Sequence, residues 1–96
     1  MKRLWHPEFV DELETAARFY RDRNPVVVQR FLRDFESTLQ QIQDNPQLGS
    51  SLGKEVRRRR IPRFPFDIIY CEHNGALVLI ALAHHARRPG YWKGRT

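Results

Sequence analysis

Apolar residues recur along the chain in two rhythms, and the change falls near its middle. From Pro7 onward, Phe9, Leu13, Ala16, Ala17 and Tyr20 lie at i, i+4, i+7, i+8 and i+11, one stripe of an amphipathic helix. Pro7 suits the first helical turn, where its missing N–H is not needed, and His6 reads as the cap. Glu8, Asp11, Glu12 and Glu14 favour the positive end of the helix dipole. Asp22-Arg23-Asn24-Pro25 stops this helix and starts another, with Asn24 as N-cap and Pro25 as first residue. Val28, Phe31, Leu32, Phe35, Leu39 and Ile42 then keep helical spacing until Asp44-Asn45-Pro46. So short a connection predicts an antiparallel helical hairpin.

Beyond Pro46 the period drops to two. Gln47–Gly53, with two glycines and two serines, reads as a loop. Val56–Ile61 reads as a strand with Arg58 and Arg60 on one face and Arg57 and Arg59 on the other, which predicts an edge position. Phe66–His73 and Ala76–His84 are two further strands joined by Asn74-Gly75, a strong two-residue hairpin signal, with His73 in the turn. That turn predicts the pairs His73–Ala76, Cys71–Val78, Ile69–Ile80 and Asp67–Leu82. One face then carries Ile69, Cys71, Val78, Ile80 and Leu82, and the other Phe66, Ile68, Tyr70, Leu77, Leu79 and Ala81. Both faces are apolar, and a helical hairpin covers one. The other needs the C-terminal segment with Tyr91 and Trp92, another subunit or a binding partner. With Lys2–Trp5 as a short first strand, the prediction is an α+β fold, β-α-α-β-β-β. A helical hairpin packs on one face of a small, mostly antiparallel sheet, with residues 1–96 as one domain.

Charge sharpens this picture. The chain carries a net charge of +6, all of it from the second half: residues 1–48 hold seven Lys/Arg against eight Asp/Glu, residues 49–96 ten against three. The excess clusters in Lys54–Arg63 and Arg87–Arg95. Such asymmetry points to an anionic partner: RNA, DNA or an acidic protein segment. Four consecutive arginines repel one another, which argues against a merely solvated strand. The longest apolar run, Ala76–Ala83, is eight residues against the roughly twenty of a membrane helix, and no apolar stretch near Met1 reads as a secretory signal. A lone Cys71 in an apolar strand reads as core filler in a reducing cytoplasm.

The run Val56-Arg57-Arg58-Arg59-Arg60-Ile61, the stretch Arg63-Phe64-Pro65-Phe66-Asp67-Ile68-Ile69-Tyr70, the Asn74-Gly75 hairpin and the ending His84-His85-Ala86-Arg87-Arg88-Pro89-Gly90-Tyr91-Trp92 together resemble the RelE/ParE superfamily of type II toxin–antitoxin toxins. The likeness spans almost the whole chain and is strongest to the ParE-like, plasmid-stabilisation branch. It implies a growth inhibitor masked by a cognate, acidic antitoxin, and is compatible with a homodimer or a heterotetramer with that antitoxin. ParE-like members bind DNA gyrase; RelE-like members cut mRNA on the ribosome. The resemblance calls for no cofactor, no metal and no membrane.

The candidate target-binding residues are Arg57, Arg58, Arg59, Arg60, Arg63, Arg87, Arg88 and Trp92. Metal-free RNA cleavage needs a base, cations for the pentavalent phosphate and an acid. For that chemistry the resemblance implies Arg58, Arg60 and Arg87, with Tyr91 and a histidine, His84 above all, as further candidates. Asp67 stands where the nuclease branch carries an arginine, and a carboxylate there repels a scissile phosphate. That departure tilts the reading from enzyme toward gyrase binder, with a metal-independent mRNA endoribonuclease and a non-toxic nucleic-acid module as alternatives. His84 and His85, adjacent on a strand, face opposite ways and cannot form one two-histidine metal site. One reads as capping the strand and the other as facing solvent. Glu72 reads as an arginine partner, and Trp5 and Trp92 as core or cover.

Overall fold

A computed structural model describes residues 1–96. The chain runs β1 (Lys2–Trp5), α1 (Pro7–Arg23), α2 (Pro25–Asp44), β2 (Ser50–Gly53), β3 (Val56–Arg60), β4 (Phe66–His73) and β5 (Ala76–His84), ending in a 3-10 turn at Lys93–Arg95. The strands form one sheet in the order β1-β5-β4-β3-β2, antiparallel except for β1, which lies parallel to β5. No helix is long and apolar enough to cross a membrane.

The helical hairpin forms where its sequence places it. His6 Nδ1 accepts from the Glu8 amide (3.1 Å) and Asn24 Oδ1 from the Val26 amide (2.8 Å), so each helix has a side-chain cap in front of its proline. Phe9 and Ala16 of α1 and Phe31, Phe35, Leu39 and Ile42 of α2 close on Phe66, Ile68, Tyr70, Leu77, Leu79 and Leu82 of the sheet. Each fully buried side chain of this size contributes about 1.5–3 kcal/mol. Leu32, expected in this core, is instead exposed, and the polar residue α2 buries is Thr38, whose hydroxyl donates to the Asp34 carbonyl.

Three expectations are corrected. Ser50–Gly53 is not loop but a strand, all of it exposed, paired with β3 through Ser50–Arg58 and Ser51–Arg57. It lacks apolar alternation because it covers nothing; it closes a tight return through Gly53, Lys54 and Glu55, all at positive φ. With β2 beside it, β3 is not the edge strand. Charge on both faces excludes burial of the faces but leaves the backbone free to pair on both sides, which is what β3 does.

The third correction concerns register. The Asn74-Gly75 turn, both residues at positive φ, fixes His73–Ala76 and Cys71–Val78 as expected. Between Ile69 and Tyr70 the register shifts: Tyr70 pairs with Leu79 and Ile69 with Ala81, leaving Ile80 as a bulge. Ile69 therefore does not face Ile80, and Asp67 faces Ala83 rather than Leu82. The slip turns Leu82 toward the helices and puts Ala81 with Ile80 on the opposite face, exchanging the two positions assigned from strict alternation. On that face Trp92, only 7% exposed, lies on Val56, Ile69, Ile80 and Ala81, so the C-terminal segment supplies cover from within the chain.

Tyr70 locks the return of α2 to the sheet: its hydroxyl donates to the Pro46 carbonyl (2.9 Å) and accepts from the Gly49 amide (2.8 Å). A Cβ at Gly49 would lie 2.5 Å from that hydroxyl and 2.7 Å from the Arg58 carbonyl. Gly49→Ala is therefore expected to cost about 1–3 kcal/mol, read as a lower urea midpoint at unchanged m-value; an unshifted midpoint would show that the packing yields freely.

Candidate functional site

The outer sheet face and the C-terminal segment enclose a groove of about 580 Å³. Strand alternation puts Arg58 and Arg60 of β3 on one wall; Arg87, Arg88 and Tyr91 follow β5 onto the other, with Ile69 and Trp92 at the floor. Asp67 and His85 sit between them. His85 Nε2 donates to Asp67 Oδ1 at 3.0 Å, since a carboxylate only accepts. The one acidic side chain of the groove is thus engaged by a histidine, and His85 is anchored further by its amide to the Pro65 carbonyl (2.8 Å). Arg58, Arg60, Arg87 and Arg88 form no ion pair; the arginines that do are Arg3, Arg63 and Arg95.

The structure separates the sequence candidates. Arg58, Arg59, Arg60, His84, Arg87, Arg88, Tyr91 and Trp92 all line the groove. Arg57 turns to the other face, donating to the Gly49 carbonyl (2.8 Å) and Gln47 Oε1 (2.6 Å), and Arg59 reaches toward Gln41 of α2. Arg63 pairs with Asp34 of α2 at 3.1 Å, away from the groove. His84 and His85 do face opposite ways: the His84 ring packs edge-on against Phe66 and its Nδ1 caps the Ala86 amide, while His85 is not simply solvated but pairs with Asp67. Glu72 makes no ion pair with an arginine, and Trp5 packs on Phe9 and Phe35 with part of its ring exposed. No three of the His, Cys, Asp and Glu side chains converge as a metal-binding group.

Glu12 organises the groove's outer wall. β5 runs on past the end of β1, and there its backbone is completed by side chains: the Leu82 amide donates to Glu12 Oε1 (3.0 Å) and the Ile80 carbonyl accepts from Arg95 (3.2 Å). Arg95 grips the same carboxylate with both terminal nitrogens, at 2.8 and 3.0 Å, and reaches Glu8 as well. The Tyr91 hydroxyl donates to Glu12 Oε2 at 2.6 Å, and the Tyr91 ring carries the Arg87 guanidinium 3.9 Å from its centroid. Burial first, then the acceptor carboxylate of Glu12, push the Tyr91 phenol far above the ordinary tyrosine range. Arg95's own hydrogen bonds to Glu12 raise it further, so both donors stay protonated.

Read as a contribution to the helix dipole, Glu12 hides this role. Its signal is its position: it lies at i+3 from Phe9 and i−4 from Ala16, on the buried stripe of α1, where a carboxylate needs a partner. Nothing local to residue 95 names that partner. A second cavity, about 480 Å³ and mostly apolar, lies behind the wall between α1 and β5, lined by Phe19, Tyr20, Phe66 and Leu82 with His84 and Arg87 at its rim.

Comparison with known proteins places these features in context. The family model for the ParE toxin of the type II toxin–antitoxin system parDE matches residues 4–89. No curated protein matches the sequence significantly. Among solved structures, one titled as a chromosomal ParDE system from P. aeruginosa superposes with a TM-score of 0.73 at 16% identity, covering 88% of this chain and 95% of that one, a likeness of fold.

Two outcomes follow from the wall. Burial also raises Tyr20 and Tyr70, so all three phenols sit above their unfolded value of about 10. A group raised in the folded state stabilises below its unfolded pKa, and that stability is lost as pH rises through the folded values. Absorbance titration at 295 nm should therefore show less phenolate at pH 10 in the folded protein than in the unfolded chain, and stability should fall as pH rises above it; a tyrosine titrating normally in the native state would contradict the geometry. Glu12→Gln removes the charge opposite Arg95, whose side chain is 10% exposed, and should cost about 1–3 kcal/mol while reddening the Trp92 emission. Unchanged emission and stability would show that the wall does not depend on Glu12.

Proposed function

The chain belongs to the ParE toxin family of type II toxin–antitoxin systems, and from that premise we propose that it arrests growth by binding DNA gyrase in the cytoplasm, through its arginine-lined groove, until a cognate acidic antitoxin covers that surface. Family membership carries with it an antitoxin partner; the target and the mode of neutralisation are the proposal.

The observation that supports binding over RNA cleavage is the state of Tyr91. A phenol that donates at 2.6 Å to Glu12, held protonated by burial and by that carboxylate, is engaged in the wall and poorly disposed to give its proton to a leaving oxygen. Asp67 adds a carboxylate among the cations. Four unpaired guanidiniums remain, suited to engaging acidic side chains by paired N–H donors. Arginine is also the charged residue most often found to dominate a protein interface.

The purified chain should inhibit gyrase supercoiling at near-stoichiometric ratio. Arg58→Ala with Arg60→Ala should weaken inhibition at least tenfold, the worth of about 1.4 kcal/mol at an interface. Supercoiling unaffected at a large excess of toxin would overturn the gyrase reading. Codon-phased mRNA cleavage in a translating extract, lost on Arg87→Ala, would put ribosomal cleavage in its place.

A further inference from the structure

We propose that the free edge of β1 is a docking surface for a second copy of this chain, the two β1 strands pairing antiparallel about a twofold axis at Leu4. This goes beyond the reading of the groove and stands without it.

The backbone of that edge is open and in phase for a partner strand. The sheet order leaves β1 with β5 as its one neighbour, and no backbone bond outside the ladders involves Lys2–Trp5. The His6 amide donates to the Leu79 carbonyl at 2.9 Å, so His6, and by alternation Leu4 and Lys2, direct their backbone groups at β5. The N–H and C=O groups of Arg3 and Trp5 therefore point away from the sheet, into solvent in the monomer.

Side chains then select one register. Arg3 and Trp5 lie on the helix side, where Arg3 meets Glu36 and Gln43 and Trp5 meets Phe35; Lys2 and Leu4 lie on the outer side. Residues directly opposed across an antiparallel pair share a face. An axis at Lys2 or Arg3 sets like charges against each other. An axis at Trp5 sets Arg3 against Pro7, which already belongs to α1. An axis at Leu4 sets Leu4 against the partner's Leu4 and Arg3 against the partner's Trp5, the two residues whose backbone groups are free. Leu4 is 42% and Trp5 38% exposed, apolar surface that the monomer leaves open. Leu32, also exposed, lies four residues before Glu36 and eleven before Gln43, on the side of α2 that Arg3 meets.

Charge selects this edge over the other free one, β2. Pairing through β2 would bring the arginine-bearing β3 strands of two copies within three strand spacings, about 14 Å; pairing through β1 keeps them seven apart, about 34 Å. Against a screening length of about 8 Å, only the larger separation removes the repulsion. Residues 1–48 are themselves nearly neutral, with seven Lys/Arg against eight Asp/Glu. The twofold axis stands perpendicular to the sheet, so both grooves open on the same side, two equivalent sites for bivalent engagement.

The test is sedimentation velocity of the full chain from about 5 to about 500 μM, because a contact below about 1,200 Å² gives a weak, concentration-dependent dimer. A shift from monomer to dimer is expected over that range. Leu4→Asp, which sets two carboxylates together at the axis, should weaken it at least about tenfold, while Leu52→Asp on the exposed β2 strand should leave it unchanged. Cysteine cross-linking in a Cys71→Ala background reads the register separately. Leu4→Cys brings two Cα atoms to about 4.5 Å, within disulfide range, and should form a covalent dimer on oxidation. Lys2→Cys, opposite His6 of the partner subunit, should not. A monomer throughout, a loss with Leu52→Asp as large as with Leu4→Asp, or cross-linking of Lys2→Cys in preference to Leu4→Cys would overturn the inference. Each is read without gyrase, so its failure is distinct from failure of the supercoiling assay.

Discussion

A sheet edge left unfinished by one strand and completed by one carboxylate governs this molecule. β1 pairs with β5 only as far as Leu79. Beyond that point the backbone needs partners, and an unpaired buried amide or carbonyl costs about 1–3 kcal/mol. Glu12 accepts from Leu82 and Arg95 donates to Ile80, each gripping the other at the same time. Two charged side chains thereby do what a longer strand would do, and in doing so they tie the last residues of the chain to its first helix.

The consequences reach the groove. Because Arg95 and Tyr91 are both fastened to Glu12, Trp92 between them is pressed onto Ile69, Ile80 and Ala81 and closes the second apolar face of the sheet. Tyr91 in turn offers its ring to Arg87. The bulge at Ile80 belongs to the same arrangement: without the added residue, Leu82 would turn away from the helices and Ala81 toward them. The groove is therefore rigid on both walls, β3 paired on each side and the C-terminal wall clasped, and its arginines are presented on fixed backbone. Such preorganisation lowers the entropy cost of engaging a charged partner.

Much of the fold was legible. Caps at His6 and Asn24, prolines at two helix starts, and the stripes of α1 and α2 each follow from local chemistry and appear where the pattern places them. So does the Asn74-Gly75 turn, whose positive φ values suit those two residues. At the site, the arginines of Lys54–Arg63 and of Arg87–Arg95 were legible as two cationic clusters, because each is set by neighbours in the chain; that members of both line one groove was not. The β2 strand was not legible, since Ser-Ser-Leu-Gly buries nothing and is a strand only because β3 offers it hydrogen bonds. The register of β4 and β5 was legible near the turn and lost beyond the bulge, because one inserted residue leaves no mark on composition.

By itself the sequence determined the helical hairpin, the turn, the two apolar sheet faces and the uneven charge, all of which depend on residues a few positions apart. Tertiary structure alone decided that Glu12 meets Arg95 across 83 positions, that Asp67 is engaged by His85, and that Arg57 and Arg63 turn away from the groove that Arg58 and Arg60 line, while Arg59 beside them reaches back to Gln41. Those outcomes rest on which side chains the packed backbone brings within hydrogen-bond reach. A charged group carries no local preference for one distant partner over another, so only the assembled fold selects it.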